Sequence, residues 1–363
     1  MRHLRVPSAQ TSHWIERCKS NDWYATGHRV QRIGGESAIP LNGNAPAETL
    51  AVWEGHSMIE IEASDKKPRH YWEHIPTEIR ESFDDEFPQA FEIQGDVLLV
   101  KIPEEMAEIE NQIALAMLQQ FPSIRVVCHD DGVEGEFRVR NLRVLEARSD
   151  DRSTQTHYRE HGHEFLINPA VAYFSVRLGT QRMQTFESVS SFREKKGRPL
   201  VIADPYAGVG PSMALLYTEA DIVSKAYVND MNPEATPLLK ANMEQFHTKR
   251  KSNGMYIIDC KDARKLVEEN PEMIGCADVL LVNLPHDGIS HLPDLVAILS
   301  DEMTLVCGWT IQDRDADILN QLQTSLMQSS RVILENQIEE IKGFSTTKAM
   351  FRYELLLSKK NKR

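Results

Sequence analysis

The chain has 363 residues, enough for two or three domains. Hydrophobic residues make up 41% and charged residues 26%, an ordinary globular composition with no run near the roughly 18 apolar residues a membrane span needs. The net charge of −13 excludes nucleic-acid binding through overall charge, so any such role needs a local basic patch, with candidates at Arg138, Arg140 and Arg143, at Arg177 and Arg182, and in the runs "REKKGR", "KRK" and "KKNKR".

The N-terminal "MRHLRVPSAQTSHW" has no apolar core behind its basic residues, which argues against a secretory signal and for a cytoplasmic protein. The five cysteines (Cys18, Cys128, Cys260, Cys276 and Cys307) are scattered, with no CxxC pair. That pattern argues against a disulfide framework or a zinc site, and Cys128, Cys260 and Cys307 are expected in the core.

In chain order, the first segment, 1–66, carries a helix from Ser8 to Asn21, then strand-like runs "HRVQRIG", "LAVWEG" and "MIEIEA". The polar, proline-bearing "ASDKKPRH" is a plausible boundary. The second segment, 70–165, is mixed α+β. It holds "AFEIQGDVLLVKI" as strands broken at Gly95-Asp96, "EEMAEIENQIALAMLQQF" at helical period, and "SIRVVCH" and "GEFRVRNLRVLEA" as strands. From 166 to 363 strand and helix alternate: "PLVIAD", "PSMALLYTE", "KAYVND", "PEATPLLKANMEQF", "MYIID", "DARKLVEE", "ADVLLVNL", "HLPDLVAILS", "EMTLVCGW" and "DADILNQLQTSLMQ". "RVILENQIEEI" and "KAMFRYELLLS" close the chain as an antiparallel pair. Such alternation predicts βαβ units and a mostly parallel α/β sheet covered on both faces.

Ligands of open α/β sheets bind at the carboxyl ends of the strands. The first end reads "DPYAGVGP", Asp204 to Pro211. Gly208 and Gly210 allow close backbone approach, and the following helix offers its N–H groups. A dinucleotide fingerprint needs a third glycine where Met213 stands, so the loop fits an S-adenosylmethionine site better than an NAD site. The second end, "NDMNPEA", sets Asp230 22 residues beyond Gly208, a spacing that suits a ribose diol. Asn232 there, and Asp262 after the third strand, read equally as helix N-caps. The fourth end, "VNLPHDG", pairs Asn283 with a proline, Pro285, that must stop the strand. Taken alone, each of these is also a common turn; four consecutive strand ends suited to one adenosine-bearing ligand are far more specific.

These stretches resemble the archaeal and eukaryotic tRNA (guanine37-N1)-methyltransferases of the Trm5 type, in divergent form. "VPSAQTSHW…IPLN" resembles that family's small first domain, and "AFEIQGDVLLVKIP" and "GEFRVRNLRVLEA" its middle domain. "VAYFSVRLGTQR" is similar to its "VYFSPRLxxER", and "DPYAGVGP", "NDMNPEA" and "VNLP" to its cofactor and active-site motifs. The resemblance implies two smaller α+β domains before a class I, Rossmann-like methyltransferase domain. It implies S-adenosyl-L-methionine as cofactor, the anticodon stem-loop of tRNA as partner, and a monomer. Tyr173, Asp204, Asp230, Asn232 and Asp262 would hold the cofactor with the Gly208–Gly210 loop. Arg138 would stabilise guanine O6, Asn283 and Pro285 would shape the base pocket, and Arg177 and Arg182 would face the tRNA.

One departure matters. The family glutamate taken to remove the N1 proton is Gln181 here, and the second arginine of "ERxR" is Gln184. An amide cannot act as that base; Glu187, Asp287 and Asp230 are substitutes to weigh. The change also keeps open a related transferase at the same tRNA position, acting on a wyosine-type guanine or moving an aminocarboxypropyl group. A tRNA-binding protein that has lost catalysis is the third reading.

Overall fold

A computed structural model describes the chain except for residues 66–67, 85, 220, 251–253 and 361–363. Parts of three sequence expectations, the "ASDKKPRH" connector and the "KRK" and "KKNKR" basic runs, therefore lie outside the described residues. The described residues divide into two compact units, Met1–Ile79 and Arg80–Arg363.

The first unit is a four-stranded sheet carrying one helix. Strands β1 (Arg2–Pro7), β2 (Gln31–Ile33), β3 (Glu36–Pro40) and β4 (Met58–Glu60) pair in the order β2-β3-β1-β4, with α1 at Thr11–Ser20. Its core is aromatic: Trp14, Tyr24 and Trp53 pack with Leu4, Val6, Ile39 and Cys18. The "LAVWEG" run is not a strand but a 3-10 turn over Ala51–Trp53, because Trp53 turns inward and donates its ring N–H to the Ala47 carbonyl at 3.0 Å. A short helix, α2 (Thr77–Glu81), follows.

The second unit opens with β5 (Phe91–Gln94), β6 (Val97–Val100), α3 (Glu110–Gln120), β7 (Val126–Glu134) and β8 (Val139–Ala147), forming the sheet β5-β6-β7-β8. The turn at Gly95 is obligatory: φ is +61°, and a Cβ would stand 2.3 Å from Thr156 Oγ1. "GEFRVRNLRVLEA" is strand only from Val139. Gly135 to Arg138 form the tip of the β7–β8 hairpin, with Arg138 itself left-handed at φ 53°. A hairpin of β9 (Thr156–Glu160) and β10 (His163–Ile167) and the long helix α4 (Gly179–Lys196) follow; neither is signalled by an obvious sequence period.

The remaining elements are β11 (Leu200–Asp204), α5 (Pro211–Leu216), β12 (Val223–Asn229), α6 (Ala235–Lys249), β13 (Met255–Asp259), α7 (Leu266–Glu269), β14 (Val279–Val282), α8 (Gly288–Leu295), β15 (Thr304–Asp313), α9 (Ile318–Ser325), β16 (Arg331–Gly343) and β17 (Lys348–Lys359). They build a seven-stranded sheet in the order β13-β12-β11-β14-β15-β17-β16. Strands β11 to β15 are parallel, and β17 pairs antiparallel with both β15 and β16. The mostly parallel sheet with an antiparallel terminal hairpin is as the sequence predicts.

The central strands read as unbroken Val/Leu runs because both faces are covered. One core packs Phe192 of α4, Met213 of α5 and Leu239 of α6 on Ile202 and Leu281. The other packs Leu266 of α7, Leu292 of α8 and Leu322 of α9 on Leu280 and Val306. Among the cysteines, Cys18, Cys128 and Cys307 are buried, whereas Cys260 is exposed, contrary to expectation, because it follows β13 at the sheet edge. No helix among the described residues is long and apolar enough to cross a membrane.

Candidate active site

A cavity of about 670 Å³ lies in the second unit at the carboxyl ends of the parallel strands. Four consecutive strand ends line it: Pro205–Gly208 after β11, Asp230–Asn232 after β12, Lys261–Arg264 after β13 and Asn283–Asp287 after β14. The strand order places β12, β11 and β14 side by side, so the switch point between β11 and β14 falls under the cavity. The β7–β8 hairpin tip, with Phe137 and Arg138, and Tyr173 complete the wall.

The β11–α5 loop is shaped for close approach. Gly208 and Gly210 are left-handed, at φ 56° and 86°. Beyond Gly208 the space is open, a Cβ there meeting nothing nearer than the Tyr173 carbonyl oxygen at 3.8 Å. At Gly210 a Cβ would stand 3.0 Å from Leu239 in α6. Pro211 occupies the first turn of α5, as expected. The buried Asn242 of α6 holds the loop from behind, donating to the Val209 and Leu166 carbonyls at 2.8 Å each. No sequence signal marked that asparagine.

Asp230 lines the cavity and holds the glycine loop. Its Oδ2 accepts the Gly208 N–H at 2.8 Å and its Oδ1 the Asn232 N–H at 2.9 Å. Each oxygen keeps a further lone pair, which a diol can use. Burial raises its pKa, opposed by those two hydrogen bonds. Asn232 is more committed to structure than to ligand: its Nδ2 donates to the Val171 carbonyl at 2.7 Å and its Oδ1 accepts the Glu234 N–H at 3.0 Å. It thereby closes the turn that leads into α6, whose N-cap is Glu234, and ties down the segment that carries Tyr173. Asp262 caps the turn after β13, accepting from the Arg264 backbone at 3.0 Å and from the Arg264 guanidinium at 2.7 Å. The Arg264 pair holds its carboxyl below the usual range.

Asp204 stands apart from the expectation. It is buried behind the loop and is not among the residues lining the cavity. Neither carboxylate oxygen has a hydrogen-bond partner. Burial pushes the carboxyl up to about 7, against a pull from the nearby Tyr206 N–H and with a push from Asp230.

Asn283 and Pro285 are held from two sides. Asn283 Nδ2 donates to Ser212 Oγ at 3.3 Å, and the Pro285 carbonyl accepts the Ile311 N–H at 2.7 Å. The turn is closed by Gly288, whose N–H donates to the Leu284 carbonyl at 2.8 Å and whose missing Cβ would stand 2.9 Å from Val282. Tyr206 and His291, both unmarked by the sequence reading, bond each other at 2.8 Å on the Asp262 side of the cavity. Burial lowers the His291 pKa, with Arg264 adding to the effect.

The arginines divide. Arg138 is exposed at the hairpin tip and lines the cavity. Arg177 is exposed, with Glu92 at 3.8 Å. Arg182, expected to face tRNA, is instead 4% exposed. Its Nε and Nη2 bond Glu160 at 2.7 and 2.6 Å, and Nη2 also donates to the Ser175 carbonyl at 3.1 Å. A bidentate partner within an apolar wall explains the burial: the charge is neutralised where water cannot reach. Other candidate basic clusters are also paired internally. Arg140 meets Asp130 and Glu92, Arg143 meets Glu110, and Arg198 meets Asp278 at 2.7 Å. Gln181 does not line the cavity, and its Oε1 is buried without a partner. Glu187 is exposed on α4, near Arg352.

The donor set suits an adenosine-bearing cation. An acid with free lone pairs lines the cavity, glycines leave room beside it, and Ala207, Ala235 and Ala263 supply apolar wall.

Comparison with known proteins agrees with this geometry. A family profile described as the TYW2 N-terminal domain matches residues 72–146. A tRNA (guanine(37)-N(1))-methyltransferase, Trm5b of Pyrococcus abyssi, is 27% identical over 277 residues, covering 76% of this chain and 73% of that protein. Trm5b of Methanocaldococcus jannaschii is 32% identical over 157 residues, 43% of this chain and 42% of that protein. In fold, a solved complex of aTrm5 and tRNALeu superposes with a TM-score of 0.70 at 21% identity, covering 98% of this chain and 99% of that one.

Proposed function

We propose that this chain, a relative of the Trm5-type tRNA (guanine37-N1)-methyltransferases, transfers a methyl group from S-adenosyl-L-methionine to N1 of guanosine 37 in tRNA. The observation that carries the reading is the convergence of four strand ends and the Arg138 hairpin on one cavity.

S-adenosylmethionine, when bound, supplies an activated methyl group on a sulfonium. The protein's own residues supply position and charge. Asp230 accepts from the ribose hydroxyls while fixing the Gly208 loop. Asp262 stands where an adenine amino group can donate to it, and Tyr173 covers the cavity as an exposed aromatic. Asn283 offers both a donor and an acceptor to the edge of a purine, and Pro285 fixes the turn that aims it. The target base has to leave its stack to reach this depth, as base-modifying enzymes generally require. Holding two reactants in line supplies on the order of 7–11 kcal/mol of the barrier reduction.

Arg138 acts on the other side. Its permanently charged guanidinium, on the exposed hairpin tip, meets guanine O6 as negative charge gathers there. Arg177, exposed beside the site, is available to the tRNA backbone. The segments 1–66, 70–165 and 166–363 are read as a tRNA-contacting domain, an α+β middle domain and the methyltransferase domain of a cytoplasmic monomer. The net charge of −13 makes RNA contact depend on this local rim.

A second reading has a specific observation behind it. The TYW2 N-terminal domain match, with Gln181 standing where the Trm5 pattern has a glutamate, favours a related transferase at the same nucleotide. Asn283-Leu284-Pro285 favours methyl transfer. The test is label transfer from methyl-labelled cofactor to G37 and A37 transcripts, with Arg138→Ala as the site variant. Arg138→Ala is expected to lower transfer by about 10²–10³, the usual cost of losing an oxyanion donor, with cofactor affinity unchanged. Equal loss of both would remove Arg138 from this role.

A further inference from the structure

Guanine N1 carries a proton, and methyl transfer to that atom needs a group to take it. The identity of that group rests on the proposed function. The cavity's titratable groups can be sorted by what already holds them. Asp230 spends one bond per oxygen on the Gly208 and Asn232 amides, and Asp262 is clamped by Arg264. His291 is bonded to Tyr206 on the Asp262 side. Lys342 is a cation that would have to lose its own proton first. Two exposed carboxylates also line the cavity, Glu136 on the β7–β8 hairpin tip and Asp287 beside His286, and they are the rival bases.

His286 differs from all of these. It follows Pro285 directly, on the turn that the Ile311 N–H anchors through the Pro285 carbonyl. It lines the same cavity as Asn283 and Arg138. Its ring packs edge-on against Phe344, a cavity-lining aromatic, at 5.9 Å between centroids. Arg138 of the hairpin and Lys348 of β17 face it as cations, and Asp287, its neighbour on the turn, faces it as an anion. The group that receives the O6 charge and the imidazole therefore line one cavity and feel each other's charge, as two groups acting on one purine edge must.

We propose that His286 is the general base that accepts the N1 proton of guanine. The bond from methyl carbon to N1 forms as the carbon–sulfur bond breaks. The N1–H electron pair stays on the ring, and the proton moves to the imidazole. The positive charge lost at sulfur reappears on His286, which then releases the proton to water. His286 is an exposed member of the lining; partial desolvation of its ring, with Arg138 and Lys348, lowers its pKa from the ordinary 6.5, against the pull of Asp287. The ring is thus neutral and able to accept at neutral pH.

The test is the pH profile of kcat/KM on a G37 transcript for the wild type and for His286→Gln, Glu136→Gln and Asp287→Asn. Cofactor and tRNA affinities are measured separately by calorimetry and filter binding. His286→Gln is expected to lose about 10²–10⁴ in rate, to retain both affinities, to lose the limb that rises with pH, and to regain rate with added imidazole. Glu136→Gln and Asp287→Asn are expected to keep that limb. An active wild type whose limb survives in His286→Gln, or disappears in either carboxylate variant, overturns this proposal alone. A wild type that leaves G37 unmethylated overturns the functional reading and the proposal together.

Discussion

Replacing Asp230 by asparagine keeps its shape and removes its charge and its second acceptor. In the wild type each carboxylate oxygen accepts a backbone N–H, from Gly208 at 2.8 Å and Asn232 at 2.9 Å. An amide has only one oxygen, so its NH2 must face one of those N–H groups, donor against donor. A hydrogen bond to a charged group contributes about 1.5–3 kcal/mol. Losing one at the ribose side corresponds to about a ten- to hundredfold weaker affinity for cofactor, at 1.4 kcal/mol per decade. Isothermal titration with S-adenosylmethionine reads this directly. A control isolates the diol: the wild type should prefer adenosine to 2′-deoxyadenosine, and Asp230→Asn should lose that preference. If the variant binds cofactor as tightly as the wild type, or still discriminates the deoxynucleoside, Asp230 does not hold the ribose.

Two further consequences concern residues that the sequence assigned to ligand contact and the structure buries, Arg182 within the cavity wall and Asp204 outside it. Arg182→Ala leaves Glu160 buried and unpaired, so it should destabilise the protein by about 3–5 kcal/mol, read by denaturant unfolding, with tRNA affinity of the folded variant little changed. A large loss of tRNA affinity without loss of stability would return Arg182 to the RNA interface. Asp204 has a folded-state pKa of about 7, above the value of about 3.9 for an unfolded aspartate. The native state therefore holds a proton that the unfolded state has lost, and stability falls as pH rises from about 4 to about 7. Asp204→Asn should stabilise the protein at pH 8 more than at pH 5, and equal shifts in thermal midpoint at both would refute the assignment.

The parallel sheet was legible because its strands carry the marks that two-sided burial imposes. Runs such as "VLLV" at Val279–Val282 are wholly buried, and each strand end holds a polar residue before a helix start. Those same ends made Asp230, Asp262, Asn283 and Pro285 legible, since each closely follows a strand whose carboxyl end borders the cavity. What stayed hidden depends on distant partners. Nothing local in "RLGTQR" says that Glu160, on another hairpin, takes Arg182 out of solvent. Asn242 supports the cofactor loop from 33 residues away along the chain. Arg138 reads as one of several alternating strand arginines, yet Gly135 turns the chain before it and leaves it at a hairpin tip. "LAVWEG" has strand composition, but Trp53 is drawn into an aromatic core and bends it into a turn. His286 was visible as the residue after the proline; its company of Arg138 and Phe344 was not.

The most direct measurement is the identity of the modified nucleoside. Purified protein, methyl-labelled S-adenosylmethionine and unmodified tRNA transcripts bearing G37 or A37 are combined, and the digested RNA is resolved by mass spectrometry. The predicted product is 1-methylguanosine, from the G37 transcript alone. Label absent from both, with cofactor bound by the protein, or an aminocarboxypropyl adduct in place of methyl, would contradict methyl transfer to N1 of guanosine 37.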